Sequence, residues 1–134
     1  MKFYSGILLW AVVLMVVNIR IIGKEELKEK LDKGEDFTLI DVLEPSQYSK
    51  VHITKAINVP LQEISSKHKE LDKKKEIVTY CYSSECGASR SAARELAEKG
   101  FKVSAYEGGI QEWVLSEMST EGKIRKEKLK ALFT

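Results

Sequence analysis

The sequence predicts one α/β domain, a mainly parallel sheet with helices on both faces. Three observations predict it. Short apolar runs alternate with helical patterns from Gly23 to Met118. Strands separated by helices imply parallel pairing with covering layers on both sides. The chain has 134 residues, which suits one domain and no second.

The elements follow in order. Gly23 to Leu31 reads as a helix with Leu27 and Leu31 at i, i+4, and Gly34-Glu35-Asp36 as a turn. Phe37 to Val42 is a strand apolar enough to be buried on both faces. Pro45 to Lys50 makes one helical turn. Ala56 to Val59 is a second strand, closed by Pro60, and Leu61 to Ser66 a short helix. The charge run Lys73 to Glu76 is a solvated turn before a third strand, Ile77 to Cys81. Ala88 to Lys99 places Ala92, Ala93, Leu96 and Ala97 on one face and ends at Gly100, a C-cap. Lys102 to Tyr106 is the fourth strand. Gly108-Gly109 is a turn needing φ > 0, and Ile110 to Met118 is a helix whose Trp113 belongs to the core. Glu121 to Thr134, with Ile124, Leu129, Leu132 and Phe133 among five bases, reads as a terminal helix docking on its own domain.

Composition bounds the function. Hydrophobic residues at 43% and charged residues at 31% exclude a disordered tail and a polytopic membrane protein. Two cysteines cannot build a disulfide scaffold. A net charge of +2 gives no argument for nucleic acid. Both ends are basic, and the middle, residues 23–118, is mildly acidic.

Ile7 to Val17 is unbroken apolar sequence, and with its neighbours the run covers residues 3–19. A span needs roughly 20 apolar residues, with a lower limit of about 17. Residues 1–18 are therefore read as a hydrophobic segment that anchors the protein to a membrane. The alternatives are a cleaved export signal and a buried element of the fold. Bases beyond the run, Arg20, Lys24, Lys28 and Lys30, lean the domain towards the cytoplasmic face. Residues 19–118 form the domain and 119–134 a basic helix or tail.

The chemistry sits in Tyr80-Cys81-Tyr82-Ser83-Ser84-Glu85-Cys86-Gly87-Ala88-Ser89-Arg90. Cys81 ends a buried strand, and a loop of small and polar residues leads into a helix. In a parallel sheet, sites lie beyond the carboxyl ends of the strands. A helix N-terminus there aims N–H groups at the loop, holds anions and biases a thiol towards thiolate. A Cys at a strand end is also a common buried hydrophobe. The C-x4-C spacing is no zinc pattern, and His52 and His68 stand far apart, so no metal is read. Asp41, His52 and Asn58 read as residues that satisfy loop backbone groups.

Four ordered segments resemble the single-domain rhodanese family. They are Leu39-Ile40-Asp41-Val42 with Glu44-Pro45, His52 to Pro60, Val78-Thr79-Tyr80-Cys81, and Tyr106 to Trp113 with its Gly-Gly pair. The resemblance covers residues from about 19 to 118 and implies the rhodanese-like three-layer sandwich. It implies sulfur transfer with Cys81 as nucleophile. Tyr82, Ser83, Ser84, Glu85, Cys86, Gly87, Ala88 and Ser89 form the loop that would hold a persulfide, with Cys86, Arg90 and Asp41 as accessory candidates. The implied partners are a small sulfur-donor anion and a thiol or cyanide acceptor, without a cofactor. The loop departs from the usual C-x-x-G-x-R-[ST]: Cys86 stands five residues after Cys81, and anchoring on Ser89 makes the loop two residues longer. Cys86 is thereby expected to attack a Cys81 persulfide, to form a disulfide with Cys81, or only to pack. Two rival readings share the fold. A cysteine phosphatase or arsenate reductase needs an Arg six residues after the Cys, where Gly87 stands. A non-catalytic binding or redox-sensing module needs no turnover.

Overall fold

The computed structural model describes residues 19–134. The expected membrane segment, residues 1–18, lies outside them. Among the described residues no helix is long and apolar enough to cross a membrane.

The chain runs β1 (Arg20–Ile22), α1 (Lys24–Asp32), β2 (Phe37–Asp41), α2 (Pro45–Lys50), β3 (His52–Ile53), β4 (Ile57–Asn58). A short 3-10 turn at Leu61–Glu63 leads into α3 (Ile64–Lys67), and a second follows at His68–Glu70. Then come β5 (Glu76–Tyr80), α4 (Ala88–Glu98), β6 (Val103–Tyr106), α5 (Gly109–Leu115), β7 (Thr120–Glu121) and α6 (Lys126–Phe133). Five strands form the central sheet in the order β1-β6-β5-β2-β4, every pair parallel. β3 and β7 form a separate antiparallel ribbon.

Local sequence explains most of these elements. Glu25 and Glu26 in the first turn of α1 and Lys30 in its last complement the helix dipole, while Leu27 is fully buried. In α2, Pro45 fixes the first helical position and Glu44 and Gln47 form a capping box. At the end of α4, Gly100 takes φ 93° and its N–H binds Ala97 O at 3.0 Å.

The sheet separates two cores. One holds Leu27, Tyr80, Tyr106, Ile110, Trp113 and Leu129, from β5, β6, α1, α5 and α6. The other holds Ile64, Ile77, Cys81, Ala92, Ala93 and Leu96, from α3, β5 and α4. Strand parity assigns the sides: Ile77 and Cys81 face α4, and Val78 and Tyr80 face away. Residues 119–134 join the same body. β7 pairs with β3, and Leu129 of α6 is buried on the α5 side.

Three strands escape the sequence reading. β1, β3 and β7 are two or three residues long, too short to show a period. Two strands also end earlier than their apolar runs: β2 stops at Asp41 and β5 at Tyr80. Gly108 differs from expectation as well. Its φ is −63°, and only Gly109, at 72°, is left-handed. A Cβ at Gly108 would run into Glu112 Oε1 and the Tyr106 hydroxyl, so a larger residue there would displace that pair. Those two groups hydrogen-bond at 2.6 Å.

Candidate active site

In-line register puts polar groups at the carboxyl edge of the sheet. Asn58, Asp41, Tyr80 and Tyr106 lie opposite one another on β4, β2, β5 and β6. Cys81 follows at once, in the middle of the edge. Its carbonyl and that of Tyr82 accept hydrogen bonds from the N–H groups of Ile110 and Gln111, both 2.9 Å. The first turn of α5 thus grips the loop from behind. Gly109 makes that approach possible, because a Cβ would fall 2.5 Å from Tyr82 C and O and 2.7 Å from Ser83 N. On the other side, Thr79 Oγ1 donates to Ser89 O at 2.8 Å and ties the start of α4 to β5.

Between these supports the loop closes on itself. Cys86 N–H binds Ser83 O at 3.1 Å. Cys81 is completely buried, and its thiol donates to Cys86 O at 3.2 Å, with Ser83 O at 3.9 Å. Cys86 is partly exposed, and both cysteines are free. Ser84 and Glu85 form the exposed turn at the loop's tip.

The two thiols differ in acidity. Burial pushes Cys81 up, a hydrogen bond with Cys86 pushes the same way, and the N–H and hydroxyl of Ser89 only partly oppose them. For Cys86, burial acts upward but is outweighed. The Cys81 thiol, the N–H groups of Ala88 and Tyr82 and the charge of Arg90 together hold it below an ordinary thiol. The expected bias towards thiolate therefore falls on Cys86. Cys81 misses it because loop carbonyls, not only N–H groups, face its sulfur in a dry setting. Arg90 reaches the site through that charge, while its guanidinium pairs with Glu107 at 2.7 Å.

Asp41, His52 and Asn58 take the predicted supporting places. Asn58 Nδ2 donates to Asp41 O at 3.0 Å and Leu43 O at 2.8 Å. His52 stacks on Tyr48 with ring centroids 3.8 Å apart, and its Nδ1 meets Tyr48 O at 2.7 Å. Asp41 is fully buried; Oδ1 accepts from Leu43 N–H at 2.9 Å, and Oδ2 has no hydrogen-bond partner among the described residues. Burial raises its pKa from 3.8 to about 6, against the lowering by Leu43 N–H, the Tyr80 hydroxyl and His52. The folded state thus binds this proton more tightly than the unfolded chain. Its contribution to stability is full below pH about 4 and is lost as the pH rises towards about 6. Asp41→Asn is expected to flatten that fall and to stabilise the protein above pH 6 by about 2–3 kcal/mol. Urea midpoints across this range check it; a variant as pH-dependent as wild type would point to another group.

Sequence reasoning placed Tyr82 at the site and missed the other residues around the mouth. Leu43, Gln47, Lys50, Tyr82, Ile110 and Phe133 line a cleft of about 180 Å³ beside the loop. Phe133 of α6 packs against Tyr82 with centroids 5.5 Å apart. The only sequence signal for this wall was the apolar pattern of the tail. A larger cleft, about 320 Å³, lies between α5 and α6 along Val114, Glu117, Lys126 and Lys130 and contains neither thiol.

Comparison with known proteins agrees with this geometry. The family model for the rhodanese-like domain matches residues 23–116. The thiosulfate:glutathione sulfurtransferase of Saccharomyces cerevisiae is 32% identical over 114 residues, covering 74% of this chain and 81% of that protein. YrkF of Bacillus subtilis is 34% identical over 93 residues, 69% of this chain, and the chain spans about half of that relative, 49%. Among solved structures, the rhodanese-like domain of the Anabaena Alr3790 protein superimposes with a TM-score of 0.70 at 30% identity, covering 80% of this chain and 82% of that one.

Proposed function

We propose, from the premise that this chain belongs to the rhodanese-like domain family, that it is a sulfurtransferase carrying sulfane sulfur as a Cys81 persulfide. The observation that carries the reading is the placement of Cys81. It sits at the carboxyl end of the central strand, against the start of α4, in a loop gripped by α5.

The mechanism is a double displacement. A donor such as thiosulfate, a polysulfide or a persulfide approaches the loop. The Cys81 thiol gives up its proton to solvent. The Cys81 thiolate attacks the outer sulfur. With thiosulfate, the S–S bond breaks, sulfite leaves with the bonding pair, and Cys81 holds the sulfur as a persulfide. Ser89 N–H and hydroxyl, already directed at Cys81, stabilise that anion. A thiol or cyanide then takes the terminal sulfur and restores the thiolate. The loop provides no counterpart to a phosphatase clamp, since Gly87 stands at that position and Arg90 pairs with Glu107.

Intact mass after incubation of reduced Cys86→Ser protein, which keeps only the Cys81 thiol, with thiosulfate tests the reading. The expected product is heavier by one sulfur atom, and cyanide reverses the gain. A mass unchanged with thiosulfate, polysulfide and persulfide donors alike would favour a binding or sensing module.

A further inference from the structure

The second thiol of the loop has no part in the double displacement, yet its position gives it something to do. Cys81 Sγ already lies 3.2 Å from the carbonyl oxygen of Cys86. The Ser83–Cys86 turn folds the loop back on itself, and both cysteine side chains pack on the same core cluster. Both are free thiols, Cys81 buried and Cys86 partly exposed. A persulfide on Cys81 therefore forms in a closed place that an external thiol must enter, whereas Cys86 is there already.

We infer that Cys86 is an internal resolving thiol, and that the protein also acts as a sulfane-sulfur reductase releasing hydrosulfide. The inference rests on the reading of Cys81 as persulfide carrier. The persulfide anion takes a proton from solvent, and the Cys86 thiolate attacks the inner sulfur of Cys81–S–SH. A Cys81–Cys86 bond forms, the sulfur–sulfur bond of the persulfide breaks, and its electron pair leaves on HS⁻ with the persulfide's proton. The two cysteines are oxidised and the sulfane sulfur is reduced. A dithiol reductant then returns the pair to free thiols and becomes a disulfide itself.

The acidity of the pair favours this branch over simple relay. Passing the terminal sulfur to Cys86 would expel the Cys81 thiolate, the more basic of the two and the poorer leaving group. Attack on the inner sulfur expels hydrosulfide instead. The lowered pKa of Cys86 enlarges its share of thiolate, the attacking form.

The test is a single turnover of full-length reduced protein with thiosulfate, with reductant removed and no other thiol present. Wild type is expected to release sulfide stoichiometrically and to end lighter by two hydrogen atoms. Cys86→Ser and Cys86→Ala are expected to keep the added sulfur and to release no sulfide. A wild-type persulfide that persists without sulfide overturns the inference and leaves sulfur transfer standing. Sulfide release by both variants at the wild-type level overturns it as well. No added sulfur in wild type or in either variant, with no sulfide, overturns the inference together with the persulfide reading beneath it.

Discussion

Cys81→Ser is expected to reduce thiosulfate-dependent sulfur transfer by at least about a thousand-fold, the scale on which removal of a catalytic nucleophile acts. A serine hydroxyl does not form a persulfide, so no covalent carrier remains. The fold should survive, because the hydroxyl can keep the bond to Cys86 O that the thiol makes at 3.2 Å. The loss of a small buried apolar group costs about 1 kcal/mol. Cyanide-dependent thiocyanate formation measures the activity, and a thermal melt separates it from unfolding. Activity retained within ten-fold of wild type would move the nucleophile to Cys86.

Gly109→Ala should cost both fold and function. The residue has φ 72°, where an alanine loses about 1–2 kcal/mol. Its Cβ would also meet the main chain of Tyr82 at 2.5 Å, and a main chain cannot rotate away as a side chain can. Overpacking of this kind costs a further ~1–3 kcal/mol. The sum, about 3 kcal/mol, corresponds to a fall of roughly 10 °C in the melting midpoint of a domain this size. Retreat of α5 would break the Ile110–Cys81 and Gln111–Tyr82 hydrogen bonds and release the loop. Gly34→Ala provides the control. Gly34 has φ 65°, yet nothing lies within 4 Å of its added Cβ. Equal losses in the two variants would show that the approach to the loop carries no weight.

The parts legible in the sequence are those whose signal is local. β5 and α4 announce themselves through a dense apolar run and a one-sided Ala/Leu face, and their junction places Cys81. β1, β3 and β7 exist because of partners far along the chain: Arg20 faces Ser104, and Ile53 faces Thr120. Nothing in two or three residues encodes such a partner. Asp41 and Asn58 were legible as supports because short polar side chains at strand ends have few other uses. The acidity of the two thiols was not, since it depends on which loop groups turn inward. A helix N-terminus pointed to Cys81 as the more acidic thiol, and the folded loop lowers the pKa of Cys86 and raises that of Cys81 instead. The contribution of α6 to the mouth was hidden for a similar reason. An amphipathic tail shows that it docks, and says nothing about where.

The pairing of β1 with β6 also has a consequence for synthesis. Ser104, the partner of Arg20, is made on the order of 80 residues after it. At ~5–20 residues per second, β1 waits several seconds with no neighbour to bond. β5, the centre of the sheet, lacks β6 on one side for part of that interval. The sheet is therefore completed only after Tyr106 has emerged, and the two thiols receive their enclosure only then. The site is therefore assembled only once β6 has been made.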